Sequence, residues 1–131
     1  LRFYRFYIKS KQNNDEQYRL FAECFLPKHM LDWFDLKKID VTGEGDDKQY
    51  HIYLDENEIR PEGRGDLRPN GFTRESVFQD FPIRAHKVLL HVRRRRWLDA
   101  YGENVMTECD FIQKSTRCSK ELADFLKETP R

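Results

Sequence analysis

The feature that most constrains the fold is a short apolar segment that leads directly into concentrated positive charge. Val88–Val92 is almost entirely apolar, and the four consecutive arginines Arg93–Arg96 and then Trp97 follow it. An apolar segment of this length is typical of a buried or half-buried strand. Because side chains alternate along a strand, successive arginines face opposite sides. Both faces of the strand end are therefore charged.

This alternation also predicts which arginines are available to an anion. If the valine side of the strand packs in the core, Arg94 and Arg96 lie at its rim and pair with acids. The expected partners are Asp80 and Glu108. Arg93 and Arg95 then remain available to phosphate groups, and a bulge before Arg93 would exchange the two pairs.

Charge is distributed unevenly along a chain whose net charge is only +1. Between Asp40 and Asp66 nine acidic residues stand against three basic ones, whereas Arg84–Trp97 contains six basic residues and no acidic one. The asymmetry predicts either an internal match between the two segments or a face that binds a polyanion. The pattern alone leaves both alternatives open.

With 131 residues, 38% of them hydrophobic and 14% aromatic, the chain is expected to form one compact domain around a small core. We expect residues 1–35 to be helical, with an N-cap in Asn13–Asp15 and a break at Pro27. An antiparallel sheet is expected in residues 36–108, and a terminal helix in residues 109–131.

Five segments have the pattern of strands, and the first two are expected to form a hairpin around the turn Gly43–Asp47. The segments are Leu36–Thr42, Gln49–Leu54, Ser76–Phe81, Lys87–Trp97 and Asn104–Glu108. A long loop is expected at Glu56–Gly71. The predicted fold class is α+β, a small antiparallel sheet of four to five strands with N-terminal helices and a C-terminal helix.

The cysteines and the absence of an apolar span indicate a cytoplasmic protein. Cys24, Cys109 and Cys118 are odd in number and contain no close pair, which fits a reducing compartment. No segment approaches the roughly 20 apolar residues of a membrane helix, so no membrane association is expected.

We expect neither a metal nor a catalytic residue. His86 and His91 with Cys109 and Cys118 match no common zinc template, and half-buried strand histidines with small apolar thiols are the favoured interpretation. No catalytic motif is present. The carboxylates beside the first hairpin are expected to stay solvated; they are Asp46, Asp47, Asp55 and Glu56. The chain is therefore predicted to be no enzyme and to bind no cofactor.

Two segments, Phe81–Ile83 and Val88–Trp97, resemble the N-terminal region of a family of bacterial insertion-sequence transposases. In that family a small zinc ribbon precedes a helix-turn-helix and a DDE catalytic domain. Tyr50–Glu56 looks like the family's first hairpin, and Lys114–Glu128 looks like the helix that leads toward its helix-turn-helix. The resemblance covers roughly residues 20–128.

One departure from the family is large. Its zinc cysteines form Cys-x-x-Cys pairs just before and just after this core, at places that here read Ile59–Arg64 and Leu98–Gly102. Neither segment contains a cysteine. The resemblance therefore implies a zinc-ribbon-like shape without the metal, with Arg60, Pro61, Asp99 and Tyr101 at the ligand positions.

The resemblance implies DNA binding at the ends of the mobile element during transposition, with the chemistry supplied by a separate transposase subunit or domain. The residues expected to contact DNA are Arg84, Lys87, Arg93, Arg94, Arg95 and Arg96 for phosphates. Trp97 is expected to be mostly buried on its ring face, and two alternatives stay open for it, stacking on bases or packing in the fold. The alternative is a protein-interaction or dimerisation module of a transposition complex. A homodimer is left open, as is the choice between a complete reading frame and a fragment.

Overall fold

The computed structural model describes residues 16–108 and 118–128, and the fold is α+β. Helix α1 covers residues 16–25 of the described chain, α2 is Met30–Trp33 and α3 is Lys120–Glu128. The strands are β1 Phe34–Thr42, β2 Gln49–Glu56, β3 Arg68–Phe72, β4 Ser76–Ile83, β5 His86–Arg93, β6 Arg95–Leu98 and β7 Asn104–Val105. The predicted N-cap Asn13–Asp15 and Cys109 lie outside the described residues.

The strands form two sheets. The larger has the order β1-β2-β5-β4 and the smaller the order β3-β6-β7. Every pairing is antiparallel except the central one, where β2 runs parallel to β5 with Tyr50 opposite Val88 and Asp55 opposite Arg93. The predicted first hairpin is confirmed, with a bulge between Leu36 and Lys38. The division into two sheets and the parallel pair were not predicted.

The core lies between the first two helices and one face of the four-stranded sheet. The sheet contributes alternating residues of β2 and β5, which is the expected period of two. The helical side contributes Leu26, which lies beside the predicted break at Pro27. The start of β1 contributes the ring of Phe34, which is 1% exposed. The buried cluster is Leu26, Met30, Leu31, Phe34, Ile52, Leu54, Val88, Leu90 and Val92. The valine side of β5 is therefore the core side.

A buried polar contact attaches α3 to the outer edge of the larger sheet. Ser119 Oγ donates to Asp80 Oδ1 at 2.7 Å, and the Ser119 backbone N–H donates to Gln79 O at 2.8 Å. Ser119 also precedes α3 and its Oγ accepts from the N–H of Leu122. Burial raises the pKa of the Asp80 carboxyl, against the lowering effect of the Ser119 hydroxyl. Asp80 therefore pairs with Ser119 at the start of α3 and not with an arginine.

Several predicted elements differ in their extent, among them the predicted strand Asn104–Glu108, which is the shorter β7 Asn104–Val105. The segment Lys87–Trp97, predicted as one strand, divides at Arg94 into strands of two different sheets. The predicted loop Glu56–Gly71 ends in β3, which pairs with β6. Among the described residues, no helix is long and apolar enough to cross a membrane.

Candidate nucleic-acid interface

The arginine segment changes sheet at Arg94, which is held from both sides of its backbone. Its N–H donates to Thr73 Oγ1 at 3.1 Å, and its carbonyl accepts from the Thr73 N–H at 2.8 Å. Arg93 is the last residue of β5, while Arg95 and Arg96 belong to β6. The four guanidinium groups therefore start from two sheets and not from one continuous strand.

Arg93 forms a two-pronged ion pair with Asp55, its register partner across the parallel strands. Arg93 Nε and Nη2 donate to the two carboxylate oxygens of Asp55 at 2.7 and 2.6 Å. These hydrogen bonds hold the pKa of Asp55, which is only 7% exposed, below its usual range. The guanidinium also lies 4.4 Å from the ring centroid of Phe72. The guanidinium of Arg93 is therefore held by contacts within the protein, through two hydrogen bonds to one carboxylate and stacking on one ring.

Glu56 binds the next two arginines and is itself 9% exposed. Its Oε1 accepts from the Arg95 N–H at 2.7 Å, and its Oε2 accepts from Arg94 Nη2 at 3.4 Å and from Thr107 Oγ1 at 3.2 Å. Arg94 Nη2 also donates to the Thr107 carbonyl. The Arg95 side chain donates to the Glu56 carbonyl at 3.2 Å and approaches Glu58 at 4.0 Å. Both arginines are held internally.

The expectation that Arg93 and Arg95 are available to phosphate is therefore wrong, as is the expectation that Asp55 and Glu56 stay solvated. Arg94 does pair with an acid, but the acid is Glu56 and not Asp80 or Glu108. The cause is the parallel pairing of β2 with β5, which places the acidic end of one strand beside the basic end of the other. The charge asymmetry of the sequence reflects, at these residues, an internal match.

Arg96 differs from its three neighbours because its side chain makes no hydrogen bond or ion pair with any residue that the structure describes. It lies two residues before Leu98 on β6, and Leu98 is the register partner of Arg68 on β3 and of Asn104 on β7. By the alternation of side chains, Arg96 and Arg68 are diagonal neighbours on one face. The exposed side chain of Arg68 also has no such partner in the described chain.

Two asparagines extend this face. Asn70 Nδ2 donates to Asn104 Oδ1 at 2.6 Å, which links the outer strands of the small sheet across β6. We call the surface formed by Arg68, Asn70, Arg96 and Asn104 the cationic face. Sequence reasoning missed Arg68 and Asn70 because β3 was assigned to a loop, and it missed Asn104 although a strand was predicted there. The signal that would have found them is the pairing of that segment with the strand after Val92.

Trp97 points to the opposite side of β6 and is 2% exposed. The Arg60 guanidinium lies 5.8 Å from its ring centroid, and a cavity of about 470 Å³ lies beside it between Trp33 and residues 57–62. The predicted burial of Trp97 is confirmed, and because a buried indole offers no ring face to a base, packing is favoured over stacking. Its place is in the packing between the small sheet and the loop of residues 57–67.

The positions where the resembling family has zinc cysteines are occupied by hydrogen-bonded turns. Asp99 Oδ1 accepts from the backbone N–H groups of Tyr101 and Glu103, both at 2.9 Å. On the facing loop Arg64 Nε donates to Asp66 Oδ1 at 3.1 Å, and this contact lowers the pKa of Asp66. The Ala100 backbone also contributes to lowering the pKa of Asp66, so the two loops lie close together.

Within the described residues, no group of three or more His, Cys, Asp or Glu side chains is placed to hold a metal ion. The histidines His86 and His91 lie on opposite faces of β5, since the two are five residues apart on one strand. His86 contacts Tyr50 with ring centroids 6.0 Å apart, whereas His91 bonds to His51 at 2.8 Å. One metal ion cannot be bound by both His86 and His91.

Arg84 and Lys87, the other predicted contact residues, are exposed at the far end of β5. Arg84 is in the two-residue turn between β4 and β5, where Ile83 pairs with His86. The length of β5 separates these residues by about 20 Å from the arginine segment. The structure therefore does not bring the predicted DNA-binding residues together into one site.

No protein-family model matches the chain, and the comparisons with curated proteins and with solved structures found no match either. The functional argument therefore depends on the residues themselves.

Proposed function

We propose that this chain is a DNA-binding N-terminal region of an insertion-sequence transposase, and that it contacts the element ends through the cationic face. The observation that carries the proposal is the pair Arg68 and Arg96, two arginines at diagonal positions on one sheet face, without an acidic partner among the described residues. Arginine neutralises phosphates and forks onto guanine edges, and asparagine binds adenine edges. Asn70 and Asn104 stand beside the two arginines.

The proposal assigns positioning and not chemistry to this chain. Cleavage and strand transfer would belong to a separate transposase subunit or domain, and the protein would act in the bacterial cytoplasm on double-stranded element ends. Arg84 and Lys87 would form a second phosphate-binding point at the far end of β5. Neither residue makes a side-chain hydrogen bond or ion pair within the described chain, so both are available to an anion.

The test is duplex binding measured over a range of salt concentrations. Arg68→Gln/Arg96→Gln should weaken binding across all sequences and reduce the slope of log K against log salt by about 0.9 for each phosphate that is no longer neutralised. Lys120→Gln/Lys127→Gln on α3 removes the same charge from exposed positions and is the matched control. Equal affinities of the cationic-face variant and the control at low salt would overturn the assignment of DNA binding to this face.

A second candidate function, protein docking, is favoured by the exposed apolar side chains of α1. Tyr18 is 70% exposed, Phe21 67% and Leu20 63%. Phe21 also lies beside the 42% exposed Phe25, with ring centroids 6.0 Å apart, and exposed apolar patches are typical of interaction sites. If the wild-type protein fails to bind duplex DNA at low salt but forms a dimer by light scattering that Phe21→Ser abolishes, docking replaces DNA binding as the function.

A further inference from the structure

A row of four hydrogen-bonded side chains crosses the solvent-facing side of the four-stranded sheet. Thr42 Oγ1 lies 2.9 Å from His51 Nε2, His51 Nδ1 lies 2.8 Å from His91 Nε2, and His91 Nδ1 lies 2.5 Å from Glu75 Oε1. The row joins the end of β1, the middle of β2 and β5, and the residue before β4. We call it the histidine clasp.

The order of the hydrogen bonds assigns every proton in the clasp. The Glu75 carboxylate only accepts, so the hydrogen between it and the ring is on His91 Nδ1. A neutral imidazole has one N–H, and His91 Nε2 must therefore accept from His51 Nδ1–H. His51 Nε2 in turn accepts from the Thr42 hydroxyl. In the neutral state all three hydrogen bonds are satisfied, with both rings as Nδ1–H tautomers.

The clasp can accept one additional proton without rearrangement. A proton on His51 Nε2 turns that atom into a donor, and the Thr42 hydroxyl rotates so that its oxygen accepts. A second proton has no place, because the only remaining ring nitrogen is His91 Nε2. With a hydrogen on it, two N–H groups would face each other across 2.8 Å, and two cations would have ring centroids 5.0 Å apart.

The charges around the clasp do not offset a second proton. The charged or titratable neighbours on this side of the molecule are Asp35, Lys37, Lys38, Asp40, Tyr53, Asp55, Glu56, Arg93 and Arg95. Glu56 is bound by Arg94 and Arg95. Asp40 pairs with Lys38 at 3.3 Å, and Asp55 is taken by Arg93. Tyr53 stacks on His91 at 4.3 Å, and β4 places the uncharged Val77 opposite it. Within the described chain, Glu75 is the one carboxylate that contacts a clasp histidine.

We propose that the histidine clasp is a proton-operated switch, closed while the two histidines hold no more than one additional proton and opened by the second. Opening separates His51 from His91 and removes the side-chain link between β2 and residues 73–75. Those residues connect the two sheets and, through Thr73, hold Arg94. Histidine changes charge between about pH 5 and pH 8, so the switch operates on mild acidification. The inference is independent of DNA binding.

The sign of the effect follows from proton counting. The unfolded chain can protonate both histidines, whereas the closed clasp admits one proton for the pair. Two unfolded histidines with the ordinary pKa of about 6.5 together hold more than one proton only below about that pH. Below it the unfolded state therefore binds more protons than the closed clasp, and stability falls as pH falls. The raised pKa of Asp80 also makes stability depend on pH, but it does so equally in wild type and in the clasp variants. Its contribution therefore cancels when the pH dependence of a variant is compared with that of wild type.

The experiment combines ring-nitrogen NMR with thermal unfolding. At pH 7.5 both rings should appear as Nδ1–H tautomers in long-range ¹H–¹⁵N spectra. His51→Asn keeps a side-chain N–H near the position of Nδ1 and cannot take a proton. Its decrease in Tm between pH 7.5 and pH 5 should be at least about 3 °C smaller than that of wild type. His29→Asn, at an exposed histidine on the helical side, should keep the wild-type decrease.

Two results would overturn the proposal. One is an Nε2–H tautomer for either ring at pH 7.5, since the proton order would then be different. The other is a decrease in Tm in His51→Asn equal to that of wild type, since the second proton would then carry no cost. Should His51→Asn fold poorly, His91→Asn gives the same comparison from the other ring.

Discussion

Individual buried charges in this protein are each matched to a different kind of partner, and the partner determines the direction of the pKa shift. Asp55 accepts two hydrogen bonds from Arg93, and its pKa is lowered. Asp80 is hydrogen-bonded to a neutral hydroxyl and to backbone, so burial prevails and its pKa is raised, with a smaller contribution in the same direction from the nearby Glu121 carboxylate. Removing charge at these two carboxylates should therefore have opposite consequences as the pH changes.

For Asp80 we predict that the stability of Asp80→Asn relative to wild type is higher at pH 7 than at pH 4. A carboxyl with a raised folded-state pKa contributes stability below its unfolded pKa of about 3.9 and loses it as pH rises through the folded value. The amide does not titrate. Urea unfolding at both pH values measures the difference, with the exposed Asp124→Asn on α3 as the control. A relative stability that is constant or higher at pH 4 would contradict the prediction.

At the scale of elements, the turn between β4 and β5 is made from residues that fit it poorly. Arg84 and Ala85 have φ of 53° and 65°, so both residues of a two-residue hairpin loop are left-handed. This geometry matches the twist of the flanking strands but is normally built from Asn and Gly. The sequence contains no Asn-Gly or Asp-Gly signal at this point, and yet the hairpin forms because both strands are anchored in the core.

Ala85→Gly is accordingly expected to stabilise the protein by about 0.5–1 kcal/mol, since it removes a left-handed Cβ at some cost in chain entropy. The same substitution in α3, Ala123→Gly, should destabilise. Chemical denaturation of both variants gives the comparison. If Ala85→Gly were less stable than wild type, the turn would not have the positive φ values found here.

The break of the long strand at Arg94 is also an element-scale outcome. Local pattern predicts one strand because no proline or glycine interrupts Lys87–Trp97. Competition between pairing partners divides it: β5 pairs with β2 and β4, while β6 pairs with β3 and β7. Glu56 and Thr73 satisfy the backbone N–H groups at the break, which lets the chain change sheets without unpaired donors.

For the whole molecule, Glu56 connects the two sheets, and its removal tests that connection. Glu56→Gln should destabilise by about 3 kcal/mol, because it leaves the buried Arg94 guanidinium without its carboxylate. Glu58→Gln, whose side chain is 52% exposed and 4.0 Å from Arg95, should change stability by less than about 0.5 kcal/mol. Equal urea midpoints for the two variants would show that the Glu56 hydrogen bonds contribute little.

The sequence by itself determined the α+β class, the first hairpin, the terminal helix and the uneven charge, whereas the core side of β5 was a condition that the structure settled. These depend on residues close together in the chain, whose side-chain period and turn composition are local properties. The resemblance to transposases also came from the sequence, and it stays a proposal.

Only the tertiary structure decided which arginines are free. That outcome depends on the parallel pairing of Asp55 with Arg93, residues 38 positions apart, and on the pairing of Arg68 with Leu98. Strand order and strand direction depend on residues that are far apart in the chain. They are set by a balance between the apolar surface that each long-range pairing buries and the entropy lost in closing the loop between the strands. The histidine clasp has the same origin, since β2 and β5 must be neighbours before His51 and His91 can meet.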